Sequence, residues 1–496
     1  MYKSKKNIIV SLFLSFLLVF SFMINHSQGK TKEDQNTDSK VIKIAIFDCA
    51  KNDVYFYNKA LIQIFNYEWS IGNTSYTFKV TLIDNNDILC YTSDSLTVDN
   101  FDLFIICGNA RSYLYDGIHK KWNNNIQKFV ADGGGFLGIC GGANAASFGY
   151  ENPDNLFKKR VNNGVLKIAN VYINDDFFGE WQYIIKMGVK EVPFEIDSNH
   201  TFSCISLNTS VYKNNNPIFS DYDKDHLLIS YAGGPGMYNA NKSDPKQGKI
   251  TPLIIYNEEP MLTKPIHYWT YGINGWEKIK TIKTDLYGTY AGITTVYNSS
   301  GRVILYGSHP EHSLFSTDGM IIEYLGHGCH PFNFFKQYVY RYVGEPDLYK
   351  NRWMIVRSAA WAAKIPDHDL PDVEKTFVDL YQPSFYDKEI IYYRDNVNYI
   401  KFLNFAPNFI KNLFKKPIII GDFTVRILSS NNIQKIELFI DGEFKKTFTD
   451  TEQNLYGLPV YNYSIDNKLI GLHGLKVKAY SNTDVVVWDE VEAFFI

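Results

Sequence analysis

A cysteine stands among glycines in Gly138-Ile139-Cys140-Gly141-Gly142, directly after an apolar run and ahead of a stretch of small residues with helix character. The spacing Gly-x-nucleophile-x-Gly describes a sharp strand-to-helix turn, which forces its central residue into a strained backbone and needs small neighbours to avoid collision. A thiol placed there sits at a helix N-terminus, where the dipole and unpaired N–H groups favour thiolate. The N–H of Gly141 would point at a developing oxyanion. The same turn can serve as packing alone, since buried cysteines are common core residues. A second group adds to the first. His309-Pro310-Glu311 follows the apolar run RVILYGS. A cysteine nucleophile needs a base, and the base needs an orienting carboxylate; His at i and Glu at i+2 supply both from one strand end. In isolation His-Pro-Glu reads as a surface loop. Behind the cysteine turn it predicts a Cys140–His309–Glu311 triad.

The elements that must carry these residues follow from periodicity. Val41–Phe47 (VIKIAIF), Thr77–Ile83, Phe101–Cys107 (FDLFIIC) and Phe136–Ile139 read as strands, and Asn52–Phe65 and Asn123–Ala131 as helices between them. Apolar strands alternating with helices predict a largely parallel sheet covered on both faces. Between Tyr150 and Asn298 short strand-like runs dominate: Val165–Ile173, Leu227–Tyr231, Leu253–Tyr256 and Gly292–Tyr297. They predict a β-rich continuation of the same domain. The sheet closes with Val303–Tyr306, and a helix is expected over Gly319–Tyr342. Arg352–Lys364 reads as an amphipathic helix, and residues 346–415 as a helical connector. From Pro417 the period is two, with strands over Asp422–Leu428, Ile433–Ile440, Val460–Ile465, Gly474–Tyr480 and Asp484–Phe495 and a hairpin turn at Asp441-Gly442. The divisions are thus 1–30, 41–345, 346–415 and 416–496.

Three phrases carry a family resemblance: GGGFLGICGGANAAS, ISYAGGPGMY and VILYGSHPEHS, in that order. They resemble class I glutamine amidotransferases, and within them the biotin-protein-ligase N-terminal domain family, over nearly all of Val41 to Tyr342. The resemblance implies a Rossmann- or flavodoxin-like sheet bearing the cysteine elbow, with Cys140 as nucleophile, His309 as base and Glu311 as orienter. It also puts Gly108-Asn109 in the loop that helps form the oxyanion hole, together with Gly141. There a typical member has Pro-Gly-Gly, whereas this chain reads Cys-Gly-Asn. Ala232-Gly233-Gly234-Pro235-Gly236 resembles the family's glycine loop and so lines the pocket through Gly233 and Gly234; without the resemblance it is a tight turn. KIELFIDGEF and GLHGLKVKAYS resemble immunoglobulin-like modules of secreted microbial proteins, which implies a C-terminal all-β sandwich that presents or spaces a domain and meets a surface partner.

The remaining features bound the function. The 496 residues are 45% hydrophobic, enough for more than one core. A net charge of −3 gives no reason to expect nucleic acid or an anionic membrane surface as partner. Lys3, Lys5 and Lys6 precede an apolar run from Ile8 to Ile24 and then Ser27-Gln28-Gly29, the pattern of an export signal or a retained single-pass anchor. Either places the chemistry outside the cytoplasm, with the membrane touched only through that segment. The chain has no P-loop lysine motif, no His-Glu-x-x-His and no Cys-x-x-Cys, so no cofactor or metal is expected. No ammonia-accepting synthetase or biotin-ligase catalytic domain follows. Hydrolysis of an amide in a small-molecule or peptide-like substrate is the expected activity, and a non-catalytic binding module on the same scaffold is the alternative. Cys49 and Cys107 end strands where ligands gather; they border the site, pair with each other, or pack. His312 reads as a neighbour of the triad, and Asp318 and Glu323 as acids at a helix start. Asn73, Asn199, Asn208 and Asn298 begin Asn-x-Ser/Thr triplets, which so Asn-rich a chain produces by chance.

Overall fold

β1 (Asp38–Phe47) is exposed over its first four residues and fully buried over its last four, so the chain enters the core from one end of a strand. The structure, a computed structural model, describes residues 38–49, 55–108, 112–174, 194–197, 200–201, 205–213, 216–231, 234–259, 262, 267–272, 275–281, 285–311, 316–317, 320–324, 338–340, 351–384, 390–394, 396–399, 416–451, 453–455, 457–465 and 469–496. The export segment therefore lies outside the described residues. Among them no helix is long and apolar enough to cross a membrane. Ser39–Ile496 form one compact unit.

Helix α1 (Tyr55–Phe65) returns the chain after β1 and leads into a hairpin of β2 (Tyr67–Ile71) and β3 (Thr74–Ile83). β4 (Leu103–Ile106) follows, then α2 (Lys120–Ala131), whose Trp122, Ile126, Phe129 and Val130 form one apolar stripe at helical spacing. β5 (Gly135–Ile139) leads into the short helix α3 (Gly141–Ala146), and α4 (Leu156–Gly164) follows. The β-rich stretch contributes β6 (Val171–Asn174), β7 (Ile205–Val211), β8 (His226–Tyr231), β9 (Gly236–Asn239), β10 (Thr251–Tyr256), β11 (Tyr290–Tyr297) and β12 (Gly301–Tyr306). β1, β4, β5 and β12 are parallel neighbours in that order. β11 then pairs antiparallel with β12, and β10, β9, β7, β6 and β8 extend the sheet in antiparallel fashion. The architecture is α/β with a β-rich extension, as expected.

Helices cover both faces. Gly135 backs onto α5 (Arg352–Ala362), where an added Cβ would stand 2.7 Å from the Ala362 carbonyl oxygen. The next residue, Phe136, points the other way and meets Phe104 edge-on, and Phe104 meets Phe129 of α2. Successive residues of one strand thus face opposite helices, which is why β4 and β5 are apolar at every position.

Two segments depart from expectation. The described parts of Gly319–Tyr342 are strands, Met320–Tyr324 paired antiparallel with Tyr338–Tyr340, not a helix. MIIEY and YVY are rich in β-branched and aromatic residues, which fit a pleated surface better than a helix. Glu323 accordingly lies in a strand. Among the described residues of the connector the helical parts are α5, which belongs to the α/β layers, and a single 3-10 turn at Asp367–Asp369. Val378–Gln382 beyond it pairs antiparallel with Phe423–Ser429 and so joins the C-terminal β-structure.

That structure is a two-sheet sandwich, mostly antiparallel, with Ile418–Ile420 added parallel to Val486–Phe495. One sheet runs through Val378–Gln382, Phe423–Ser429 and Leu458–Ile465. The other runs through Glu443–Phe448, Ile433–Ile440, Gly471–Ser481 and Val486–Phe495. It does not hang free. Val486–Phe495 pairs antiparallel with β2 at Tyr67 and Glu68. Beside this ladder lies a buried polar joint. The Arg352 guanidinium donates to Asp379 at 3.1 Å and to Gln63 at 3.0 Å, and Gln63 donates to Asp489 at 2.9 Å. Burial raises the pKa values of both carboxyls, that of Asp489 to about 7, with the charge of Asp379 adding to the rise.

Candidate active site

Because β4, β5 and β12 run in the same direction, the residues that follow them share one edge of the sheet. The pairing continues past the strand ends: the N–H of Cys140 donates to the Tyr306 carbonyl at 2.7 Å. Two residues beyond Gly307, the N–H of His309 donates to the Ser230 carbonyl of β8, also at 2.7 Å. The sequence elements read as a nucleophile turn and a base-bearing strand end therefore meet through backbone geometry alone.

Cys140 has φ 50° and ψ −102°, a left-handed conformation that few non-glycine residues adopt. Its glycine neighbours explain how the turn fits. A Cβ on Gly138 would lie 2.6 Å from the Gly142 carbonyl oxygen, and one on Gly142 would lie 2.0 Å from that of Ile106. α3 packs against the end of β4 at that distance only without side chains. The thiol is half-buried, and Gly141 is the first residue of the helix behind it.

His309 and Glu311 are both buried, at 1% and 0% exposure. Nδ1 of His309 lies 2.7 Å from Oε1 of Glu311, which fixes the ring and leaves Nε2 as the nitrogen for Cys140. Burial alone would lower the histidine pKa. The Glu311 charge, and the charge and hydrogen bond of Cys140, more than offset it and hold His309 up at about 10. The ring is thus cationic at neutral pH, between a carboxylate and a sulfur. The second carboxylate oxygen of Glu311 and the hydroxyl of Ser308 are buried with no hydrogen-bond partner among the described residues.

Gly234 closes one side. A Cβ there would stand 1.9 Å from the Gly307 carbonyl oxygen and 3.3 Å from Cys140 Cα, so the glycine loop touches the nucleophile turn. Gly108 is buried at the end of β4. Asn109, Gly233, His312 and Asp318 lie outside the described residues. Cys49 and Cys107 are not joined in a disulfide. Cys107 donates to Asn58 Oδ1 at 3.0 Å, and burial, with the nearby Glu311 charge next, pushes its pKa well up. Asn58 of α1 also donates from Nδ2 to Asp48 at 3.2 Å. Sequence reading did not single out Asn58 or Asp48; the one signal was the abrupt polar stop of VIKIAIF at Asp48. Among the described residues no group of three or more His, Cys, Asp or Glu side chains is arranged to hold a metal ion.

An α/β sheet with an elbow cysteine and a neighbouring histidine thus frames the site. The model of the family described as biotin-protein ligase, N terminal, matches residues 68–323, just over half of the chain, and the chain belongs to that family. No curated protein matches it. Several solved structures are similar at low identity. A ThuA-like protein from Bacteroides uniformis is 9% identical over 56% of this chain and 86% of that one, with a TM-score of 0.27. A glutamine amidotransferase from Thermotoga maritima is 10% identical over 54% and 76%, with a TM-score of 0.25. Fibronectin(III)-like modules of CbhA from Clostridium thermocellum are 20% identical over 16% and 87%, with a TM-score of 0.13.

Proposed function

We propose that this chain is an extracytoplasmic cysteine hydrolase that cleaves an amide in a small-molecule or peptide-like substrate. The observation that carries the reading is the buried His309, fixed by Glu311 at 2.7 Å, with the charge of a half-buried cysteine in a strained turn acting on its ring. Cys140 Sγ attacks the carbonyl carbon, and His309, which already carries the proton, delivers it to the departing nitrogen. The resulting thioester is opened by water, whose proton returns to His309 as the sulfur leaves the acyl carbon. Glu311 keeps the ring oriented and offsets its charge. Gly141 N–H supplies one oxyanion donor, and the loop of Gly108 and Asn109 is the second source. The export segment at Lys3–Ile24 supports the location. The C-terminal sandwich, read as immunoglobulin-like, presents the enzyme to a surface partner.

The test is intact-protein mass spectrometry after brief exposure to limiting iodoacetamide, on wild type and His309→Ala. Rapid labelling at Cys140 alone, slowed in the variant, is the expected result. Slow labelling spread over several cysteines and indifferent to His309 refutes the hydrolase and leaves a binding module on the same scaffold.

A further inference from the structure

β1 is the outer neighbour of β4 in the parallel set, and its end contributes Asp48 to the edge that carries Cys140. Ile46, Ile105 and Leu137 are partners across β1, β4 and β5. Continued two residues past these strand pairings, the same register puts Asp48, Cys107 and Ile139 in one row, with Cys140 following. Two strand spacings separate the first from the last, about 10 Å. That is the reach of one amino-acid-sized molecule lying across the strand ends.

The carboxylate is built into this place rather than left loose. Asp48 is exposed, its N–H is tied to the Ile83 carbonyl at 2.8 Å, and its Oδ1 accepts from Asn58 at 3.2 Å. Asn58 is itself 2% exposed and held at its other end by the Cys107 thiol at 3.0 Å. A buried amide therefore aims an exposed carboxylate along the edge of the site. No ion pair is made by Asp48 among the described residues, although carboxylates elsewhere in the chain have lysine or arginine partners. Cys107, between the two, feels the charges of both Glu311 and Asp48. Of these two carboxylates Glu311 is matched by the His309 ring, which leaves Asp48 as the carboxylate of this edge with no ion pair among the described residues.

We propose that Asp48 is a specificity-determining residue that binds a cationic group of the substrate, an ammonium about one amino-acid length from the scissile amide. This rests on the hydrolase reading and narrows its substrate to amides bearing a positive charge. Asn58 acts as a positioning residue for the carboxylate. Asp48→Asn keeps the oxygen that Asn58 holds and removes only the charge, so the variant is built to fold.

The experiment compares two thiol reagents of similar size on the full chain, cationic 2-aminoethyl methanethiosulfonate and neutral methyl methanethiosulfonate, scored at Cys140. The ratio of the two rates reports the field at the sulfur independently of how fast Cys140 reacts. The same proteins are then assayed on 4-aminobutanamide and butanamide. The expected result is a cationic preference in wild type that falls roughly fivefold in Asp48→Asn, as a unit charge about 10 Å away in a half-solvated site requires, with the kcat/KM ratio of the two amides falling in parallel through KM. An unchanged labelling ratio overturns the assignment of Asp48 while leaving the hydrolase intact. Neutral-reagent labelling that ignores His309→Ala, with neither amide cleaved, removes the hydrolase reading instead.

Discussion

The backbone of Cys140 makes a prediction whose sign runs against ordinary experience. At φ 50° and ψ −102° the residue lies where a Cβ is crowded, and such positions cost about 1–3 kcal/mol. Glycine escapes that crowding but loses more chain entropy on folding, roughly 0.5–1 kcal/mol relative to alanine. Cys140→Ala keeps the Cβ and the strain, whereas Cys140→Gly removes both. Subtracting one effect from the other leaves the glycine variant about 0.5–2 kcal/mol more stable than the alanine variant. At almost any other position the order would be reversed. Both variants lose the sulfur and its contacts, so the difference isolates the backbone. Guanidinium unfolding of the two, followed by tryptophan fluorescence, measures it directly. If the alanine variant unfolds at the same or a higher midpoint, the turn is not strained, and the strand-to-helix geometry offered for the nucleophile is wrong.

Other expectations follow from the same structure. Glu311→Gln removes the charge that helps hold His309 at about 10, so its pKa should fall toward 6.5 and kcat/KM on a cleavable amide should drop by about 10³–10⁴-fold, read from a pH–rate profile. The wild-type sign follows from the raised value: the stability contributed by protonated His309 is full below about 6.5 and is lost as pH rises through about 10. Asp489, held at about 7, acts in a lower window: folding binds its proton, so stability falls as pH rises from about 4 through 7. Asp489→Asn should flatten the melting temperature across that window. Gly234→Ala should destabilise by at least about 1–3 kcal/mol and slow labelling of Cys140, because the new methyl would collide with the Gly307 carbonyl 1.9 Å away; an unchanged melting temperature and labelling rate would show that the loop does not brace the turn.

The catalytic candidates were legible because their constraints are local. A glycine on either side of Cys140 and a histidine two residues before a glutamate can be read without knowing what lies across the sheet. The parallel strands were legible for a related reason: FLGI and VILY are continuous apolar runs and VIKIAIF is broken only by the exposed Lys43, as burial on two faces demands. Long-range pairing left no such mark. Nothing in YEWSI says that Glu68 will pair with Val486. MIIEY was misread because four apolar or aromatic residues in five fit either period, and only its pairing with Tyr338–Tyr340 decides for a strand. Asn58 was invisible because its role depends on Cys107 and Asp48 arriving from two different strands.

The ladder between β2 and Val486–Phe495 also bears on the order of folding. Gln63 and Asp489, joined beside that ladder, are 426 residues apart in the chain. Loop closure over such a span is slow, and contacts that depend on it form late. Until Val486–Phe495 arrives, that edge of β2 is without its partner, and an unpaired strand edge is a template for another chain. A folding chain therefore carries this exposed edge for the whole interval in which the sandwich is being completed. Its yield at high concentration should be governed by how quickly the last strand closes, not by how quickly the site around Cys140 assembles.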